Sequence, residues 1–334
     1  MTPLISREIR LKSRPVGLPT AANFELVETQ LPEPGPGEMV VRNLFMSVDP
    51  YMRGRMNDAR SYTPPFQLGE PLSGGAVGDV IASNGGRFPV GAVVLSNMGW
   101  REAFVSDGRN LTQVDVTLAP AQSYLGVMGM PGMTAYVGLL DIGRPKEGET
   151  VFVSAAAGAV GSLACQIAKL KGCRVVGSAG ADAKVQWLLD EIGVDAAFNY
   201  KNIPLPAALA RTCKEGIDIY FENVGGAHLE AALQKMNNFG RIIVCGMIAQ
   251  YNATEAQPGP RNLGLFITRR LTMQGYIVSD HNDRRPQFLA DMSRWIADGK
   301  ITWRETVVDG IENGPAAFLG LFSGENLGKM LVRL

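Results

Sequence analysis

The chain has 334 residues, 46% of them hydrophobic and 19% charged, with 32 Lys and Arg balancing 32 Asp and Glu. That length exceeds the usual reach of one hydrophobic core and predicts two domains, while the apolar content excludes a disordered chain. Zero net charge excludes a whole-molecule field that would gather nucleic acid or an anionic membrane.

The opening, MTPLISREIRLKSRP, carries charges where a signal peptide has its apolar stretch, and no run approaches the length of a membrane span. A cytoplasmic protein is expected. Strand-like runs follow at 24–31 (FELVETQL), 38–48, 74–83 and 91–96 (GAVVLS), separated by turns rich in Gly and Pro such as PEPGPGE and GRFPVG. They predict a mostly β, barrel-like domain. From about Tyr124 apolar strands alternate with helical periods, the order that specifies a parallel sheet flanked by helices. The strands fall at 150–155 (TVFVSA), 174–179 (RVVGSA), 196–200 (AAFNY), 217–224 (IDIYFENV), 241–246 (RIIVCG) and 271–278 (LTMQGYIV). Together they predict an α/β, Rossmann-type doubly wound parallel sheet. The polar segment NATEAQPGPRN at 252–262 reads as a lid or dimer-edge loop. After about Ile301 the text returns to strands around a short helix near Asn313 to Leu321, so the tail is expected to rejoin the first domain. The expected division is 1–127 with 302–334 for one domain and 128–301 for the other.

TVFVSA runs into AAGAVGS and then a helical stretch, giving Ala156-x-Gly158-x-x-Gly161, a G-x-G-x-x-G variant whose first glycine is alanine. Gly158 lets the backbone approach a pyrophosphate resting on the helix N-terminus at Ala159 and Val160, and Gly161 lets the helix pack close to the strand. An acid ending the second strand would bond the ribose of NAD and repel a 2′-phosphate. Here the strand ends Ser178, Ala179, Gly180 without one, and Lys184 follows near the start of the next helix, which favours NADP; Asp182 is the one acid close by.

The four cysteines, Cys165, Cys173, Cys213 and Cys245, form no C-x-x-C pair, and the only histidines are His228 and His281, read as packing or surface residues. A zinc dehydrogenase needs Cys and His ligands in its first domain, and this chain has neither before Cys165. The sequence shows SVDPYMRGRM at 47–56 and Gly69-Glu70-Pro71 where such ligands would stand. Hydride chemistry without a Lewis acid suits reduction of a polarised alkene better than oxidation of an alcohol.

With DPYMRGRM at 49–56, LGVMGMPGMTAYVGLLDIG at 125–143, PKEGETVFVSAAAGAVGS at 145–162, FENVGG at 221–226, CGMIAQYNAT at 245–254 and NLGK at 326–329, the chain resembles the zinc-independent medium-chain dehydrogenases/reductases that reduce alkenals and enones. This group includes prostaglandin reductases, plant double-bond reductases and bacterial NADPH-dependent curcumin reductases. The resemblance spans the whole chain. It implies a GroES-like catalytic domain, NADPH as cofactor, an enone as small-molecule substrate and a homodimer joined through the nucleotide domains.

The resemblance also places Tyr200 and Asn223 on the adenosine and ribose side, and Cys245, Gly246, Met247 and Tyr251 past the cofactor. Tyr276, Ile277 and Val278 would lie along the nicotinamide, Met130 and Thr134 near its ring, and Asn326 would close the site. Tyr251 is the candidate donor to the enolate oxygen, either giving a proton or only orienting substrate, and Tyr51 is expected to face the substrate. The alternatives are a quinone oxidoreductase of the same fold, a non-catalytic NADPH-binding or RNA-binding relative and, last, a zinc alcohol dehydrogenase.

Overall fold

A computed structural model describes residues 4–334. Strands β1 (Ile5–Leu11) and β2 (Phe24–Gln30) pair antiparallel over their full length, from Ile5 opposite Gln30 to Leu11 opposite Phe24. β3 (Met39–Ser47) is the spine of the next sheet. After the single turn α1 (Met52–Arg55), it pairs on one side with β4 (Ala76–Ser83) and on the other with β6 (Ala103–Ser106). β5 (Val93–Ser96) and β7 (Thr112–Gln113) extend the β4 side. β3 is bulged beside Asn43, whose amide donates to the Met98 and Arg101 carbonyls at 2.9 and 2.8 Å and so holds the loop around Trp100. Any Cβ at Gly78 would collide with the Arg42 carbonyl across the bulge, which is why this strand tolerates a glycine.

The second stretch opens with α2 (Met130–Val137), which runs into a π-helical turn, Gly138–Gly143. Strands and helices then alternate: β8 (Thr150–Val153), α3 (Ala159–Leu170), β9 (Arg174–Ala179), α4 (Asp182–Asp190), β10 (Ala196–Asn199), α5 (Leu205–Thr212), β11 (Ile217–Glu222), α6 (Gly226–Lys235), β12 (Met236–Val244), α7 (Leu265–Arg269), β13 (Thr272–Gly275) and α8 (Arg285–Ala297). The six strands pair in parallel in the order β10-β9-β8-β11-β12-β13. Winding reverses between β8 and β11, and in open α/β sheets ligands bind at the carboxyl ends of strands beside that reversal. Phe152 on β8 stacks between Phe198 and Tyr220, with ring centroids at 6.0 and 4.9 Å, at the centre of this unit's core.

Three of the strand ends that differ from the sequence expectation do so for local reasons. β11 stops at Glu222 because the next residue's N–H turns aside to the Ser154 hydroxyl. β12 begins earlier, at Met236, and passes through the left-handed Phe239. β13 stops at Gly275 because its neighbour β12 ends opposite it, at Val244; Tyr276 and Ile277 lie outside any strand, and a 3-10 turn over Val278–Arg284 takes up the last residue of the expected one.

The tail supplies β14 (Glu305–Asp309), α9 (Gly314–Ser323) and β15 (Lys329–Arg333). They complete a seven-stranded sheet of order β14-β15-β3-β4-β5-β7 with β6 on β3. Contacts divide the chain into two compact units, the first running to Gly126 and resuming over Glu305–Asn326 and Met330–Leu334, the second comprising Val127–Arg304 and Leu327–Lys329. The first unit's core gathers around Trp100, stacked on Phe24 at 6.2 Å and meeting Phe318 of α9 edge-on at 6.3 Å. Among the described residues no helix is long and apolar enough to cross a membrane.

Candidate active site

Beyond β8 the chain makes its tight turn at Ala155, which is left-handed (φ 48°) and whose carbonyl accepts the Gly158 N–H at 3.0 Å. The strained position is therefore one residue before Ala156, which the glycine pattern had marked; Ala156 instead buries its methyl group against Gly177. A left-handed alanine costs roughly 1–2 kcal/mol. Gly158 caps α3 with no side-chain acceptor, so the N–H groups of the first turn, Ala159 and Val160 among them, are left for an anion. At Gly161 a Cβ would collide with the Ala155 carbonyl, so only glycine lets α3 approach this turn. Gly328 braces the same turn through its N–H, which donates to the Ala157 carbonyl at 2.9 Å. Asn326, two residues earlier, falls within the first unit.

At the end of β9, Ser178 is fully buried and its hydroxyl has no partner among the described residues, so only the backbone of this strand end faces outward, at Gly180. Lys184 is half-buried on α4, and its pKa is lowered first by burial and then by the neighbouring charge of Lys201. Two ammonium groups thus share one neighbourhood, an arrangement that a phosphate dianion would relieve. The doubtful acid, Asp182, is engaged elsewhere: its carboxylate accepts the side-chain amides of Asn199 and Asn202 at 2.8 and 3.0 Å. Tyr200, 36% exposed, places its hydroxyl beside Gly180, and its ring meets His228 edge-on at 4.8 Å. Sequence reasoning missed Lys201 and gave His228 no part, because only the fold brings them to Gly180 and Tyr200.

The carboxyl ends of β11 and β12 form the third part. Asn223 donates its amide to the Ser154 carbonyl at 2.7 Å. The Cys245 and Gly246 N–H groups donate to the Glu222 carbonyl at 2.9 and 3.1 Å. Tyr251 follows a 3-10 turn, Ile248–Gln250, and its hydroxyl accepts the Met247 N–H at 3.3 Å. A hydroxyl that accepts one bond can still donate its proton.

Met130, Thr134, Tyr276 and Cys245, distant in sequence, are brought together. The Thr134 hydroxyl donates to the Met130 carbonyl at 2.8 Å, and the Tyr276 hydroxyl donates to the Thr134 carbonyl at 2.7 Å beside the Cys245 thiol. Burial pushes that thiol up to about 12 and the Tyr276 phenol well above its usual value, so both are neutral donors near neutral pH. Ile277 and Val278 join the end of β13 to the 3-10 turn and are half-buried.

In the first unit Tyr51 precedes α1, its pKa raised by burial and then by Asp49, and its hydroxyl is hydrogen-bonded to Arg55. Arg55 also donates to the Pro64 carbonyl at 3.1 Å and the Ser73 hydroxyl at 3.0 Å, and lies 4.0 Å over the Phe66 ring. Arg55, which the sequence did not single out, thus helps Arg14 and Arg53 to hold the segment 56–66.

Two family profiles match: "N-terminal domain of oxidoreductase" over residues 7–114 and "Zinc-binding dehydrogenase" over residues 159–295. The putative NADP-dependent oxidoreductase YfmJ of Bacillus subtilis (strain 168) is 48% identical over 331 residues, covering 98% of this chain and 97% of that protein. The NADPH-dependent curcumin reductase of Escherichia coli (strain K12) is 44% identical, covering 97% of this chain and 95% of that one. The crystal structure of CurA in complex with NADPH from Vibrio vulnificus superposes with a TM-score of 0.93 at 48% identity, covering 98% of each chain. The chain belongs to the alkenal/enone reductase family of medium-chain dehydrogenases/reductases. In this reductase the described residues contain no group of three or more His, Cys, Asp or Glu placed to hold a metal ion, the zinc in the second profile's description notwithstanding.

His228 gives this reductase a measurable acid sensitivity. It is 4% exposed, and burial pushes its pKa down to about 4 from the ordinary 6.5. Between those values the unfolded chain takes up a proton that the folded chain refuses, so stability complete above pH 6.5 falls as the pH drops towards 4, by on the order of 3 kcal/mol. His228→Phe is expected to flatten the fall in melting temperature between pH 7 and 4.5. An unchanged slope would show that another group carries it.

Proposed function

We propose that this chain reduces the carbon-carbon double bond of α,β-unsaturated ketones and aldehydes with NADPH, on substrates such as curcumin-type enones and alkenals. The observation that carries the cofactor choice is the pair Lys184 and Lys201 beyond a β9 end that has no acid, with Asp182 tied to two asparagines. The chemistry of the residues supports a dinucleotide there. The uncapped N-terminus of α3 at Gly158 to Gly161 would receive the pyrophosphate, Lys184 and Lys201 the 2′-phosphate, and Tyr200 with Asn223 the adenosine and ribose side. When bound, NADPH supplies hydride to the β-carbon of the enone.

What remains for the chain is to hold the substrate and answer the negative charge that grows on its oxygen. A donor fixed in advance stabilises that oxygen without having to reorganise during the reaction. Tyr251 is assigned this donor role, giving its proton to the enolate or orienting the enone while solvent supplies the proton. The Tyr276, Cys245, Thr134 and Met130 cluster shapes the nicotinamide side with Ile277 and Val278. Tyr51, fixed by Arg55, presents a neutral phenol for substrate orientation, and Asn326 is assigned to the closing tail.

The chain acts as a homodimer in this reading. β13 ends the parallel sheet, and Phe239, Leu263 and Ile267 on neighbouring segments are exposed apolar residues of the kind an added subunit would cover. Four free cysteines agree with a reducing, cytoplasmic setting.

Oxidation of NADPH by a panel of enones, with NADH and a benzoquinone as controls, tests the activity; a preference for the quinone over every enone would overturn it. Lys184→Ala and Lys201→Ala are each expected to raise the KM for NADPH about 10-fold or more and to leave that for NADH nearly unchanged. Equal effects on both coenzymes would remove the 2′-phosphate assignment. Tyr251→Phe is expected to cut enone turnover about 100-fold with little change in NADPH affinity if the phenol gives the proton, and about 10-fold if it only orients substrate. Full turnover would take it out of the reaction. Light scattering should return twice the chain mass, and Ile267→Asp with Leu263→Asp should shift it towards the single-chain value.

A further inference from the structure

Glu222 ends β11 with no exposed surface, and its position is unusual for an acid. Its carboxylate accepts the Ser154 hydroxyl at 2.9 Å and the Val224 N–H at 2.6 Å. Ser154 in turn accepts the Asn223 N–H at 2.9 Å through its hydroxyl and the Asn223 amide at 2.7 Å through its carbonyl. Ser154 immediately precedes the left-handed Ala155 that opens the glycine turn. The turns after β8 and β11 are therefore locked by side-chain bonds in addition to the strand ladder.

The lock extends to a third turn. The Asn223 carbonyl accepts the Ile248 N–H at 3.2 Å and the Val224 carbonyl accepts the Ala249 N–H at 3.0 Å, while the Glu222 carbonyl takes those of Cys245 and Gly246. This is the segment that carries Tyr251. Without the carboxylate the Val224 N–H would lose its buried acceptor and the Ser154 hydroxyl would keep only the Phe221 carbonyl at 3.4 Å, so the peptide units that hold the Tyr251 segment would be held less firmly. Burial raises the Glu222 pKa, and the N–H groups of Gly225 and Val224 together with the Tyr220 and Ser154 hydroxyls oppose it. An acid kept in such a place at this cost points to a task beyond filling the core.

We infer that Glu222, through Ser154, is a positioning residue that fixes the glycine turn and the Tyr251 segment in one frame, so that the phenol stands where the developing oxyanion of the substrate needs it. The inference rests on the enone-reductase reading and adds to it a residue that touches neither cofactor nor substrate.

The test is a double-mutant cycle in the full-length enzyme, with kcat and both KM values measured for one enone and NADPH. Ser154→Ala leaves Glu222 its backbone donors and keeps the fold; it is expected to lower kcat about 10-fold with both KM values within about twofold. In a Tyr251→Phe background the same change is expected to alter kcat less than about twofold, because the group being positioned is already gone. Glu222→Gln keeps an acceptor oxygen and is expected to retain kcat within about threefold, whereas Glu222→Leu should lose about 10-fold or more. Equal losses from Ser154→Ala in both backgrounds, or a loss in KM with kcat intact, would overturn the positioning role. Should the unaltered enzyme leave enones unreduced, it is the functional reading that falls; enone turnover with an additive cycle removes the positioning role alone.

Discussion

The close approach of α3 to the end of β8 is the constraint from which the rest of the second unit follows. A helix can deliver uncapped N–H groups to a pyrophosphate only if its first turn lies against the strand end, and here Gly161 has no room for a Cβ against the Ala155 carbonyl. The chain accepts a left-handed alanine to make that turn and then secures it from two directions, Gly328 on Ala157 and the Ser154–Glu222 pair beneath. Strain of this size persists only where the surroundings over-determine it. The bracing contacts therefore hold the shape of the turn.

From this turn the charges are laid out along the strand ends. Lysines stand past β9, where burial and then the neighbouring charge of Lys201 lower the proton affinity of Lys184. At the ends of β12 and β13 the groups are neutral, with burial holding the Cys245 thiol and the Tyr276 phenol protonated. The acid between these regions, Glu222, is buried, with one carboxylate oxygen held by the Ser154 hydroxyl and the Val224 N–H. A dinucleotide held as proposed, with anionic phosphates at one end and a hydride-giving ring at the other, would meet a surface graded in the same sense.

Much of this was legible in the sequence, for identifiable reasons. Apolar strand runs at even spacing gave the six-stranded sheet, because strands covered on both faces need no polar alternation. The lack of an acid after Ser178 pointed to a phosphorylated cofactor, since that position depends on strand register alone. Strand β1 escaped notice because ISREIRL alternates charges with apolar residues beside the N-terminus; the structure buries Glu8 and satisfies it with Arg10 and Thr29. Lys201 and His228 were invisible for a different reason: each acquires its neighbour only when β10 and α6 are folded beside β9 and β11. Glu222 was hidden by its chemistry, since an acid ending a strand of a nucleotide-binding sheet reads as a ribose ligand, and only its burial shows that it faces inward.

Neutral donors on a firm backbone also explain how conjugate reduction can be served by this chain's own groups. Hydride addition to an enone leaves charge on an oxygen, and a phenol that stays protonated can meet that charge without first losing a proton to solvent. A donor of this kind contributes only as much as its placement allows, because a shift of an ångström weakens a hydrogen bond that must strengthen as charge develops. Tyr251 lies on a short loop whose own turn is a single 3-10 segment, too brief to be rigid by itself. The carbonyls of Asn223 and Val224 accept the Ile248 and Ala249 N–H groups of that loop, and Ser154 and Glu222 in turn hold the Asn223 and Val224 N–H groups. In the proposed reaction, precision at the reacting end would be set by buried polar contacts one strand away, where the exposed surface gives no sign of it.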